Sequence, residues 1–489
     1  MPVFDHPIRF IETVRENKWF LFSLFILSSI LFLASSLAWP IRPGSALDEF
    51  LDYYYNQVRT LRTIGSSMIL GSLLESGYAV VNGFIYVAYI AYLFSSFYIA
   101  RLFGITFARI AVVLIVLHVQ VAVFFHFFSS DMLTCVTTAL WAALMVRFHA
   151  IETWTASIFM GLTTFSLVLI RPVSLLFVLF AIYPIICRSW SLRNLGQSLA
   201  FILAFVIGFA SYASYNYFNY GFFGMIHSSY HGNTNALFPG MSLFLNNPMY
   251  ERTNGPYSEQ LFALVETKVI GDARCSLCIE RNLTVDGFFK SKRLIDWATL
   301  LAAAEEFSPG LLRKAALEAI AKHPVQYFTR SVIFPAFHLS NKEIEIELSL
   351  PDVAGNQNKT MEVYFQDYPE RYKTFNTIKY MSSQKENYYL AFFFKYFLFK
   401  LLPPMMFFIL ASFLIVFNSQ KEYRLLLALL LPLFATFFVH IHMFPSTRLR
   451  LPYDFLFIIG GLSGLIGNRF PKDWFFQRKW ALGANHSYK

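Results

Sequence analysis

The sequence predicts an all-α integral membrane protein of about ten transmembrane helices, with a long non-cytoplasmic region of mixed helix and coil. Three observations carry that prediction. The chain is 56% hydrophobic and only 14% charged, with 56 phenylalanines in 489 residues and a mean hydropathy of +0.48. That is far more apolar surface than a water-soluble core needs. Apolar runs recur near the length of about 20 residues that a helix needs to cross a hydrocarbon core of about 30 Å. These runs lack the period-two alternation of a membrane barrel, and backbone groups inside lipid must pair within their own segment, so each run reads as a helix.

Taken in order, the predicted spans are about 19–38, 78–99, 110–128, 132–148, 155–170, 173–187, 197–218, 389–416, 424–443 and 453–467. The first, Trp19 to Leu37, is followed by Trp39-Pro40 and not by a small-residue cleavage site, so it reads as a retained anchor. Arg171-Pro172 splits the apolar stretch 155–187. Proline favours a first helical turn and disfavours helix at the residue before it, which predicts a tight reversal there. Between the seventh and eighth spans lies the one long hydrophilic stretch. Within it, Ser308-Pro309 reads as cap and first turn of a helix, Leu311, Leu312, Ala315, Ala316 and Ile320 fall at helical spacing, and His323-Pro324 ends it. Tyr327 to Leu339 then reads as a partial dip into the membrane, and 221–260, rich in Gly, Asn, Pro and Ser, as irregular loop. The chain thus divides into 1–218 (a transmembrane module), 219–388 (the non-cytoplasmic region) and 389–489 (the last helices and a basic tail).

Basic residues set the orientation. One set of short loops and ends holds Arg9, Arg15, Lys18, Arg101, Arg109, Arg147, Arg188, Arg193, Lys421, Arg424, Arg469, Lys472, Arg478 and Lys479. The other holds Arg42, Arg59, Arg62, Arg171, Arg448 and Arg450. The richer side is expected to be cytoplasmic, with both termini inside. The net charge of +10 suits loops facing anionic lipid. The basic residues are scattered at helix ends, which argues against nucleic acid as a partner. Cys135 and Cys187 lie in apolar runs and read as packing residues. Cys275 and Cys278 form a lone Cys-x-x-Cys that is a disulfide, a free or redox pair, or half of a metal site.

The residues that carry chemistry fall on the outer side. Asp48, Glu49 and Asp52 place three carboxylates just after the first span. On a helix, 48 and 52 share a face and 49 lies about 100° away. The segment is either an interfacial helix with a solvated acidic face or the source of a general base. Asp131 follows Ser129-Ser130 and opens a span, so it either caps that helix or joins Asp48 in base, orienting or metal-binding work. Arg171 either snorkels to headgroups or pairs with a phosphate. Arg448 and Arg450, two residues apart and near His440 and His442, offer a phosphate cradle. His227 and His231 chelate a metal if their segment is helical; in a loop they are solvated and face the acceptor side. No cofactor is required by the sequence, and a divalent metal is compatible with it. The charges sit at helix ends and no half-repeat is evident, which argues against a transporter.

The order of landmarks resembles the GT-C superfamily of polyprenyl-phosphate-sugar-dependent glycosyltransferases, especially relatives of the protein O-mannosyltransferases and lipid A aminoarabinose transferases. The landmarks are Leu47-Asp48-Glu49-Phe50 after the first span, Arg101-Leu102-Phe103-Gly104 in the first inner loop, and the Ser129-Ser130-Asp131 turn. Arg171-Pro172, Ala319-Ile320-Ala321-Lys322-His323-Pro324 and Arg448-Leu449-Arg450-Leu451-Pro452 follow. Where such enzymes often carry Arg-Tyr-Arg, this chain has Leu449 between the arginines. The resemblance implies a GT-C-like fold and a polyprenyl-phosphate-linked sugar as donor. It implies a lipid, glycan or protein as acceptor and transfer with inversion. It further implies Asp48 as catalytic base with Glu49 and Asp52 as competitors, and Asp131 as second acid. Arg171, Arg448 and Arg450 are then expected at the donor phosphate. The expected location is a bacterial plasma membrane with the active site on its outer face.

Overall fold

The computed structural model describes residues 17–43, 47–56, 64–149, 153–188, 190–225, 249–270, 284–290, 310–333, 371–400, 421–443 and 451–466, with a few single positions between them. Helices make up nearly all the regular structure. α1 (Lys18–Ala38) is followed by the short strand β1 (Arg42–Pro43), then α2 (Leu47–Asn56), α3 (Ile64–Ser76) and α4 (Tyr78–Ala100). Next come α5 (Ile105–Leu117), α6 (Val119–Phe125), the strand β2 (Phe127–Phe128), α7 (Ser130–His149) and α8 (Trp154–Ile170). A 3-10 stretch, Pro172–Ile182, leads into α9 (Tyr183–Cys187), and α10 (Leu192–Tyr220) follows. The long hydrophilic region contributes α11 (Pro256–Leu264) and α12 (Leu311–Lys322). The chain closes with α13 (Tyr372–Ser383), α14 (Tyr388–Tyr396), α15 (Lys421–Met443) and α16 (Asp454–Ile466).

Among the described residues, four helices are long and apolar enough to cross a membrane: Lys18–Ala38, Tyr78–Phe103, Ser130–His149 and Leu192–Tyr220. A fifth is the pair α5–α6, bent by 59° at His118. Shorter apolar helices fill 154–170, 172–187, 423–436 and 451–466. The molecule is therefore an all-α protein with membrane-spanning helices. Their surfaces match a lipid solvent: Ile30, Leu33 and Leu37 of α1 and Leu199, Leu203 and Ile207 of α10 stand exposed, as lipid-facing side chains must. Large aromatic side chains fill the interior. Trp39, Trp141, Tyr89, Tyr92, Phe125 and Phe177 are almost completely buried.

Three sequence expectations change. Residues 64–76, expected as connection, form α3, an extra apolar helix. It joins α4 through Gly77, whose φ of +98° is a conformation that side chains with a Cβ resist. The expected span 110–128 begins earlier, at Ile105, and breaks at His118. Helix α12 starts at Leu311 with Gly310 (φ +80°) at its N-cap, so Ser308 is not the cap; its carbonyl accepts from Leu311 N instead. The end at His323 falls where the sequence puts it. Arg171 is extended (φ −148°, ψ 123°) between α8 and the 3-10 stretch, which packs back on α8 as the Arg-Pro signal anticipates.

A second, smaller core lies in the long hydrophilic region. Leu261, Phe262 and Val265 pack against Leu311, Leu312, Ala315 and Ala319. The Glu318 carboxylate fastens the two helices by accepting from Tyr257 N (3.0 Å), Ser258 N (2.7 Å) and Ser258 Oγ (2.9 Å) at the start of α11. By contrast, Ile378 and Met381 of α13 join the large core of the apolar helices.

Candidate functional site

The acidic segment folds as α2 because Leu47, Phe50 and Leu51, spaced i, i+3 and i+4, make one buried stripe. That stripe faces α3. At Gly71 a Cβ would sit 2.3 Å from the Tyr54 ring, so only glycine lets the two helices approach this closely. The Tyr54 hydroxyl donates to Glu75 (2.8 Å), and Tyr55 bonds Thr374 of α13. The buried Arg371 guanidinium lies over the Tyr55 ring at 4.5 Å. Burial pushes the Tyr55 phenol up to about 12, so it stays a neutral hydrogen-bonding group. The backbone of Asp48, Glu49 and Asp52 belongs to this helix; their side chains lie outside the described residues.

A two-residue parallel ladder then ties the start of this segment to a distant one. Arg42 pairs with Phe127 and Pro43 with Phe128, and Arg42 N donates to the His126 carbonyl (2.9 Å). Three residues past Phe128 comes Asp131, in the first turn of α7. It is not a lone cap. Its Oδ1 lies 2.5 Å from Nη1 of Arg171, with the two side chains only 12% and 18% exposed. The guanidinium N–H is not aligned on the oxygen, so charge and not a directed hydrogen bond makes this contact. The end of α8 that carries Arg171 is held in turn by α3: Ser66 Oγ donates to the Ile170 carbonyl (2.5 Å), and Gly65 packs on Leu169.

The final span reaches the same place. The turn Leu451–Tyr453 is buried and packs on α7. The Tyr453 ring is fully buried, within electrostatic reach of Arg171, Cys135 and Asp131. Arg448 and Arg450 directly precede this turn and lie outside the described residues, as do His227, His231, Cys275 and Cys278. Segments near residues 42, 66, 131, 171 and 453 therefore meet at one end of the helices. A second ion pair, Arg42 Nη2 to Glu386 Oε1 at 2.9 Å, closes this end on the α13–α14 connection. Burial raises the Glu386 carboxyl above its ordinary value, and Arg42 offsets part of the rise.

Sequence reasoning missed a further feature. His118, at the break between α5 and α6, meets Asp454 through Nε2···Oδ2 at 2.7 Å; the side chains are 11% and 1% exposed. Both groups sit at helix ends, as the sequence leads one to expect, yet they are enclosed against each other. Asp454 sits at the first position of α16, directly after the buried turn Leu451–Tyr453, and its carboxylate is itself buried. A lone aspartate opening an apolar run and a lone histidine inside another were the available signals. Arg371 gave none, because its stacking partner is 316 residues away. Cys135 and Cys187 are buried free thiols, as packing residues should be. Among the described residues, no three His, Cys, Asp or Glu side chains gather to hold a metal ion. No protein-family model, curated protein or solved structure matches the chain.

Proposed function

We propose that this protein is a GT-C type glycosyltransferase of about ten spans, acting on the non-cytoplasmic face of a bacterial plasma membrane. It moves a sugar from a polyprenyl-phosphate donor to a lipid, glycan or protein acceptor. The observation that carries the reading is the β1–β2 ladder, which joins the acidic segment to the helix end bearing Asp131 and Arg171. A transfer of this kind wants carboxylate on the acceptor side and guanidinium on the donor side. In the proposed step, Asp48 takes the proton of the acceptor nucleophile, whose heteroatom bonds to the anomeric carbon. The bond from that carbon to the phosphate oxygen breaks with inversion. Polyprenyl phosphate departs carrying the electron pair, so it needs charge stabilisation more than a proton. Glu49 and Asp52 are the alternative bases. Arg171 is already neutralised by Asp131, so in this proposal the pair orients the site, and Arg448 and Arg450 supply the main positive charge to the phosphate. No cofactor enters the step. Arginines favour this division because a guanidinium binds phosphate oxygens in a bidentate fork.

One observation favours a second reading, a lipid or glycan flippase. The His118–Asp454 pair is buried at the break of a bent helix, and buried ionisable groups and broken helices are features of transport pathways. The two readings separate in one experiment, with the purified protein reconstituted in vesicles holding polyprenyl-phosphate sugars labelled in the sugar. Appearance of labelled sugar on an acceptor, or free lipid phosphate, is the transferase result. Redistribution of intact labelled lipid between leaflets without cleavage contradicts it and selects the flippase. Neither outcome with the donors offered, together with capture of a partner protein, points to a non-catalytic assembly subunit.

A further inference from the structure

We propose that a recess at the His323–Pro324 kink binds the phosphate headgroup of an anionic membrane lipid. The inference needs only that the apolar helices lie in a bilayer and does not rest on the transferase reading. Helix α12 ends at His323 (φ −128°, ψ 55°), and Pro324 restarts the helix in a new direction. The continuation, Phe328–Ile333, winds as π-helix and packs on α15. The kink is therefore the joint between the small outer core and the apolar helices, where a bilayer surface would lie.

The recess has a volume of about 560 Å³ and is lined by Lys322, His323, Val325, Gln326, Thr329 and Arg330. It is open on one side, as a site for a headgroup that reaches in from a bilayer surface would be. Its donors are of the right kind for a phosphate. The Lys322 ammonium is pinned by two contacts, to the Thr253 carbonyl (2.6 Å) and Thr253 Oγ1 (3.2 Å), and an ammonium has a third N–H to give. Arg330 makes no hydrogen bond or ion pair with any described residue and is exposed. His323 Nε2 is buried without a hydrogen bond, 3.8 Å from the Glu251 carboxylate. The Gln326 amide and Thr329 hydroxyl add neutral donors. What selects a lipid over a soluble anion is the apolar flank: Val325 is 78% and Phe328 56% exposed beside these cations. Cations at phosphate level with apolar side chains beside them are the pattern of a segment seated at a membrane interface.

The test is native mass spectrometry of the full-length protein in detergent, titrated with phosphatidic acid, phosphatidylcholine or inorganic phosphate. Wild type is expected to hold phosphatidic acid more tightly than phosphatidylcholine. Each lost cation near a lipid surface should weaken the anionic lipid about fivefold, so Arg330→Gln loses about fivefold and Lys322→Gln with Arg330→Gln about twenty-five-fold. Phosphatidylcholine binding should not change. If the double variant fails to fold for want of the Thr253 contacts, Arg330→Gln alone decides. Equal phosphatidic acid affinity in wild type and Arg330→Gln overturns the proposal. So does inorganic phosphate that displaces the lipid at comparable concentration, because the site would then be one for a soluble anion.

Discussion

Replacing Asp131 with asparagine should destabilise the protein by about 3 kcal/mol, the low end of the range for breaking a buried ion pair by removing one partner. The structure sets the size. The contact is 2.5 Å long, and at an effective dielectric of about 20 two unit charges even 4 Å apart attract by about 4 kcal/mol. Arg171 keeps 18% of its side-chain surface exposed, so once orphaned it recovers some hydration, which places the cost at the low end. Arg171→Gln should cost a similar amount by leaving Asp131 unpaired. The double variant removes both charges and should lose much less than the sum, because the desolvation penalty disappears with them. The assay is a double-mutant cycle on SDS-induced unfolding in mixed micelles. A coupling of about 1.5 kcal/mol or more is expected, and it should persist at high salt, since a contact this short is poorly screened. Losses that add to within about 0.5 kcal/mol would show the two residues to be independent and refute the reasoning.

Two further outcomes follow from the same geometry, and a third from the proposed donor site. Gly71→Ala drives a methyl group into the Tyr54 ring and should cost about 1–3 kcal/mol by overpacking; an unchanged melting temperature would mean α2 is not seated on α3. Glu386 has a carboxyl raised by burial, so the stability it adds is complete below its ordinary pKa of 4.5 and is lost as pH rises through the raised value. Melting curves of wild type and Glu386→Gln should therefore diverge upward from that pH, with the variant gaining on wild type; parallel curves would remove Glu386 from the account. Arg450→Ala should chiefly weaken use of the donor, read as a raised donor KM, and unchanged donor kinetics would take Arg450 out of the site.

The helices were legible because lipid leaves a chain few choices: an apolar run of sufficient length has to be a helix, and the runs at 19–38, 78–99, 132–148 and 197–218 coincide with the four long helices. The Arg171-Pro172 break was legible for the same local reason, since proline constrains its own residue and the one before. What was not legible depends on partners far along the chain. Residues 64–76 look like a connection until α2 covers them. The bend at His118 falls inside an apolar run, and the carboxylate that meets its imidazole is 336 residues away. The sequence put Asp131 and Arg171 on the same side but assigned them to different partners; only packing of α7 against α8 made them partners of each other. Arg42 read as a topological count and not as the residue that carries both the β1–β2 ladder and the Glu386 pair.

The central claim is that a carboxylate of α2 acts as base at the end of the helices where Asp131, Arg171 and Tyr453 meet. It is tested most directly by single-turnover sugar transfer with Asp48→Asn, measured beside wild type in the same vesicles with the same labelled donor. Normal insertion and donor binding are expected, with sugar transfer abolished. A fully active Asp48→Asn protein would contradict it.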